Sequence, residues 1–214
     1  MIILKSTILR RISIARKKRE WYPKATYHLM ERGIRRQKIF EDTSDYQVFL
    51  EIMKTALKKN HCTLHAYCMM SNHFHLLLET DDIVIAKFMK YLASNYAIYF
   101  NRKYDYTGHL FEGRYKSCLV KDDIYFLQSS RYIHLNPVKA GMVNCAEEYF
   151  WSSYRTVIAM QDDGITQVTR TWGYFKKDPP VLYREFVEDI GYKYQIQENR
   201  IKKEIGDDNL WLPW

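Results

Sequence analysis

Two periods of apolar and polar positions alternate along this chain, and the switches between them mark out its elements. Tyr27, Leu29 and Met30 fall in a short β-like run that closes at the turn-prone pair Arg32-Gly33. Asp42-Thr43-Ser44-Asp45 offers helix caps. Tyr46, Phe49, Leu50, Met53 and Leu57 then recur at spacings of three and four, which predicts one apolar helical face. Residues 62–69 and 72–80 return to a strand-like pattern around the short connection Met70-Ser71-Asn72, which predicts a hairpin. A helix over about residues 82–103 keeps Ile85, Phe88, Met89, Leu92, Tyr96 and Tyr99 at helical spacing, until Thr107-Gly108-His109 breaks it. Tyr115–Val120 is a further candidate strand. Asp122 or Asp123 can cap another helix through Tyr125, Leu127 and Ile133. This helix is expected to stop before Pro137, with Asn136 at its very end, because proline pushes the preceding residue away from helical geometry.

The resulting order, β-α-β-β-α-β and one more helix, predicts an α+β fold of the ferredoxin-like, split βαβ type. Its antiparallel sheet is expected to carry helices on one face and leave the other open to a ligand. This core is expected over residues 25–157, between a basic arm at 1–24 and a helical extension at 158–214. Within the extension, Asp162-Asp163-Gly164 and Asp178-Pro179-Pro180 read as linker punctuation and 181–205 as helix. The closing Leu210-Trp211-Leu212-Pro213-Trp214 reads as an apolar tail that docks on something.

Charge narrows the partner. The 214 residues hold 33 Lys and Arg against 25 Asp and Glu, a net charge of +8. In residues 1–24, Lys5, Arg10, Arg11, Arg16, Lys17, Lys18, Arg19 and Lys24 face a single acid, Glu20, and a second basic excess lies in residues 86–140. Two such patches suggest a polyanion, since each Lys or Arg set on a phosphate releases condensed counterions. The opening apolar runs are short and broken by Lys5, Arg10 and Arg11, so they read as an arm and not as an export signal. No apolar run approaches the ~18 residues that a membrane span needs. Four cysteines without a Cys-x-x-Cys spacing exclude an obvious zinc ribbon and argue against a disulfide scaffold, so a reducing cytoplasm is the expected compartment.

Three segments could carry chemistry. In Asn72-His73-Phe74-His75-Leu76-Leu77-Leu78-Glu79, strand alternation turns His73 and His75 to one face and Phe74, Leu76 and Leu78 to the other. The two imidazoles then lie about 7 Å apart along the strand, close enough to share a metal ion. In Arg131-Tyr132-Ile133-His134-Leu135-Asn136-Pro137, Tyr132 and Asn136 share a helical face with Gln128. A phenol with a pKa near ~10 is a weak nucleophile at neutral pH, and a nearby cation would help it by stabilising the phenolate. In Gly113-Arg114-Tyr115-Lys116-Ser117, Arg114 and Lys116 would share a strand face and could position a phosphodiester backbone.

Taken in order, these segments resemble the REP-associated tyrosine transposases, of the single-tyrosine His-hydrophobic-His class. The resemblance covers about residues 16–157. It runs through Arg16-Lys17-Lys18-Arg19-Glu20-Trp21-Tyr22-Pro23, Tyr27-His28-Leu29-Met30-Glu31-Arg32-Gly33 and Ala66-Tyr67-Cys68-Met69-Met70-Ser71-Asn72-His73-Phe74-His75. It continues through Gly108-His109-Leu110-Phe111-Glu112-Gly113-Arg114-Tyr115-Lys116-Ser117, Arg131 to Gly141 and Trp151-Ser152-Ser153-Tyr154. One departure is Ser71, where family members carry proline.

The resemblance implies a nuclease that cuts single-stranded DNA beside small hairpins through a 5′-phosphotyrosine and can rejoin it. It implies His73 and His75 as metal ligands assisted by Asn136, Tyr132 as nucleophile, and Mg²⁺ or Mn²⁺ as the ion. Two imidazoles alone suit Zn²⁺ or Fe²⁺ equally well. Arg16, Lys17, Lys18, Arg19, Arg114, Lys116 and Arg131 are the expected DNA contacts, on a nucleoid-associated monomer or homodimer. Two rivals stand beside this reading: a domesticated DNA- or RNA-binding module that no longer cuts, and a metal-dependent phosphodiesterase in which water replaces the tyrosine.

Overall fold

In a computed structural model, which describes residues 21–188, four antiparallel strands form one sheet in the order β2-β3-β1-β4. The strands are β1 (Thr26–Arg32), β2 (Thr63–Met70), β3 (His73–Glu79) and β4 (Lys116–Leu119). Helix α1 (Thr43–Asn60) connects β1 to β2, and α2 (Ile85–Lys103) connects β3 to β4. This is the expected ferredoxin-like arrangement. The arm residues Arg16, Lys17, Lys18 and Arg19 and the tail after Glu188 lie outside the described residues.

Helix α1 begins where its acids predict. Asp42 accepts from the Ser44 and Asp45 amides while the Asp45 carboxylate accepts from the Asp42 amide, a capping box that occupies otherwise orphaned donors. The Lys103 ammonium, from the last turn of α2, lies 2.7 Å from Asp42 and 2.8 Å from Asp45, tying the two helices together. Between them and the sheet sits the larger core, with Leu29, Phe74, Leu76 and Leu78 against Phe49, Met53, Phe88 and Leu92.

The opposite face is not left open. Helix α3 (Asp123–Lys139) packs Tyr125, Phe126, Tyr132 and Ile133 onto Met30, Ala66, Cys68, Met70 and Leu77, which form a second apolar patch that must be buried. The same helix runs through Pro137 rather than ending before it. Proline cannot donate to the Ile133 carbonyl four residues back. The Asn136 side-chain amide approaches that oxygen at 3.5 Å and donates to the Tyr132 carbonyl at 2.8 Å, which lets the last turn continue.

The chain then covers the outer edge of β2. Met69 donates to the Trp151 carbonyl, Ser153 donates to that of Tyr67, and Gln167 donates to that of Leu64, so the edge strand is not left bare. Residues 158–188, expected as an extension, pack against this core. After the short helices α4 (Tyr154–Val157) and α5 (Thr169–Trp172), α6 (Pro179–Glu188) brings Tyr183 beside Ser130 and His134 of α3. Asp162-Asp163-Gly164 is a tight turn, the Asp163 carboxylate accepting from the Ile165 and Thr166 amides.

Candidate active site

Strand pairing sets the site. His75 lies opposite Met30 of β1 and Cys68 of β2, and His73 lies opposite Arg32 and Met70. Both imidazoles therefore share the α3 face with Met30 and Cys68, as alternation predicts. Their ring centroids are 5.0 Å apart. The two-residue turn Ser71-Asn72 that leads into His73 is clamped by the loop after β1, since Gly33 donates to the Asn72 carbonyl and Ile39 to that of Ser71.

Helix α3 brings Tyr132 over the same face. Its ring meets those of His75 and His28 edge-on, at 5.7 and 5.8 Å between centroids. Tyr132 is 2% exposed. Asn136 and Gln128, one turn to either side, are also buried, and the Gln128 Oε1 has no hydrogen-bond partner among the described residues. One chain thus supplies all of these groups.

Burial dominates the electrostatics. Desolvation pushes the His28 imidazole down to about 3 and His73 to about 3, the latter with added repulsion from Arg32. His75 is held well below the usual histidine range by burial first, then by His73 and His28. All three rings are neutral at physiological pH, and neutral imidazole is the form that donates a lone pair to a cation.

Sequence reasoning missed three neighbours. His28 lies diagonally across β1 from His75, with Nε2 3.1 Å from His75 Nδ1. Asn72 places its Oδ1 2.6 Å from His73 Nδ1. The Lys139 ammonium lies 5.2 Å from the Tyr132 ring centroid. Only Lys139 left a local signal, since residues seven apart on a helix share a face.

The basic residues divide. Lys116 is exposed and sits opposite Met30, which places it in the same cross-sheet row as His75. Arg114 is exposed but lies in the bend before β4, not on the strand. Arg131, expected among the DNA contacts, faces the protein interior instead. It is 4% exposed, and its Nε donates to the Phe186 carbonyl at 2.8 Å, which holds α6 in place. His65 sits at a bulge in β2 that turns its ring against Phe126. It is occupied by Glu79, 3.1 Å from its Nε2.

Among the described residues, no three His, Cys, Asp or Glu side chains are grouped to hold an ion. Two neutral imidazoles converge, however, and the Nε2 of His75 is buried with no hydrogen-bond partner among the described residues. The Asn136 amide nitrogen is committed to the helix, which leaves its oxygen as the acceptor end. The two imidazoles suit a divalent cation.

Residues 22–136 match the model of the IS200-like transposases, and the chain belongs to that family. It shares its fold with a REP-associated tyrosine transposase solved bound to a REP hairpin, at 15% identity and a TM-score of 0.59. That likeness covers 72% of this chain and 90% of the other. A candidate transposase from Deinococcus radiodurans is 24% identical over 56% of this chain and 95% of its own, with a TM-score of 0.40. No curated protein matches. No helix among the described residues is long and apolar enough to cross a membrane.

Proposed function

We propose that this protein is a single-tyrosine transposase that cuts, and can rejoin, single-stranded DNA beside small hairpins. The observation that carries the reading is the meeting of Tyr132 with His75 on one sheet face, from elements far apart in the chain. Membership of the IS200-like transposases and a fold shared with a hairpin-bound relative support it.

In this reading the Tyr132 oxygen attacks the phosphorus of a bound strand. The bond from phosphorus to the 3′-oxygen breaks, that oxygen takes up the phenol proton by way of solvent and leaves as the 3′-hydroxyl, and the 5′-phosphate stays esterified to Tyr132. Attack by the 3′-hydroxyl of another strand reverses the step and frees the phenol. Each ester is exchanged for another, so no external energy source is needed. His73, His75 and Asn136 would hold Mg²⁺ or Mn²⁺, which would withdraw charge from the phosphate. Lys139 sets its ammonium 5.2 Å from the centre of the Tyr132 ring, where its charge would offset negative charge that develops during attack. Lys116 and Arg114, both exposed, would position the backbone at the margin of the site, and Arg16–Arg19 would add contacts from the arm.

The test is incubation of the protein with a labelled, hairpin-flanked single strand and Mn²⁺, followed by a denaturing gel. A DNA-linked species that disappears in Tyr132→Phe is expected. An adduct that persists in that variant defeats the assignment of Tyr132, and turnover without an adduct points to a water-using phosphodiesterase.

A further inference from the structure

Both strand histidines are engaged at the same ring atom. The Asn72 amide donates its Nδ2 to the Arg36 carbonyl at 3.2 Å, which turns its Oδ1 toward His73 Nδ1, 2.6 Å away. A carbonyl oxygen only accepts, so the proton of neutral His73 sits on Nδ1 and its lone pair on Nε2. His75 has the same relation to a different partner, its Nδ1 lying 3.1 Å from the Nε2 of His28. One of those two nitrogens donates to the other.

Packing does not explain an imidazole at position 28. Its ring is 1% exposed, on the same sheet face as Met30, Cys68 and Leu77, and its Nδ1 has no hydrogen-bond partner among the described residues. A leucine there would fill similar space without the penalty of burying that unpaired polar atom. What leucine could not supply is an acceptor for His75.

We propose that His28 and Asn72 are positioning residues. His28 accepts the Nδ1 proton of His75 as Asn72 accepts that of His73, so both rings present an unprotonated Nε2. The inference rests on the reading of His73 and His75 as cation ligands. The proton count closes: His28, accepting at Nε2, carries its own proton on Nδ1. The opposite arrangement places a proton on His75 Nε2 and shuts that atom to a cation. An acceptor on the far ring nitrogen is the usual way a ligating histidine is held in one tautomer and one orientation.

Long-range ¹H–¹⁵N spectra of the full-length, metal-free protein labelled at histidine nitrogen read the tautomers directly. His73 and His75 are both expected in the Nδ1–H form, and an Nε2–H form of His75 overturns the proposal. Titration with Mn²⁺ alone, followed by electron paramagnetic resonance, supplies a second measure. His28→Leu should weaken Mn²⁺ binding by about 10- to 100-fold, and His28→Gln, whose amide oxygen can accept, should recover most of it. Equal affinity in His28→Leu and the unmodified protein also overturns the proposal. If the unmodified protein binds no Mn²⁺, the strand-cutting reading fails instead, while the spectra still decide the role of His28.

Discussion

Asn136 donates its side-chain amide to the backbone carbonyl of Tyr132, 2.8 Å away and one turn back along α3. The residue expected to mark the end of the helix is therefore the one that carries it past Pro137. The contact also joins the candidate nucleophile and the candidate third ligand through a single hydrogen bond. Asn136→Ala should lower stability by about 1 kcal/mol, because Ile133 and Tyr132 lose a side-chain donor within the buried helix. Urea unfolding measures this, and an unchanged midpoint would mean the backbone makes up the bond by itself.

His134 provides a pH handle away from the site. Its ring is fully buried between the Tyr183 hydroxyl at 2.7 Å and the Ser153 hydroxyl at 2.8 Å, and burial pushes its pKa to about 3. Between that value and the unfolded value near ~6.5, the unfolded chain binds the extra proton. Stability is then complete above about pH 6.5 and is lost as pH falls toward 3. One such histidine contributes a slope of up to about 1.4 kcal/mol per pH unit inside this window. Unfolding free energies measured across it should rise less steeply with pH in His134→Gln than in the unmodified protein.

Arg131 should behave as a structural residue. Its buried guanidinium, bonded to the Phe186 carbonyl, holds α6 on α3. Arg131→Leu should cost roughly 1.5–3 kcal/mol, the range for a hydrogen bond from a charged donor. The salt dependence of single-strand binding should stay unchanged in that variant. A flattened salt slope would restore Arg131 as a phosphate contact.

Arg114 and Lys116 should show the converse. Both are exposed at the β4 end of the site. Replacing either by alanine should leave stability within ~0.5 kcal/mol and reduce the slope of log affinity against log salt by about 0.7. Fluorescence anisotropy with a labelled hairpin at several salt concentrations reads this.

Deletion of residues 1–19 removes seven basic side chains. It should weaken binding and flatten the slope by several units if the arm lies on DNA. An unaltered slope would make it a tail without contacts.

Much of the fold was legible because it is written in local periods. The three- and four-residue spacing of Tyr46, Phe49, Met53 and Leu57 needed only an acid at Asp42 to place α1, and the hairpin around Ser71-Asn72 needed only a break between two alternating runs. Alternation also put His73 and His75 on one face. The continuation of α3 through Pro137 was not legible, since an asparagine side chain overrode a backbone preference. Nor was the bulge that turns His65 toward α3, because one extra residue in β2 reverses the parity on which strand reading depends.

The amino-acid sequence alone therefore settled the elements, their order, and the shared direction of two imidazoles, all of which depend on neighbours within a few residues. Spacing by itself left open which side chains those imidazoles would meet, and only the resemblance pointed to Tyr132 and Asn136. His28 became a partner of His75 only when β1 took its register against β3, and Tyr132 only when α3 settled on the Met30, Cys68 and Leu77 patch. Those contacts arise from hydrogen-bond ladders and apolar burial between distant segments, and no local spacing encodes which rung faces which.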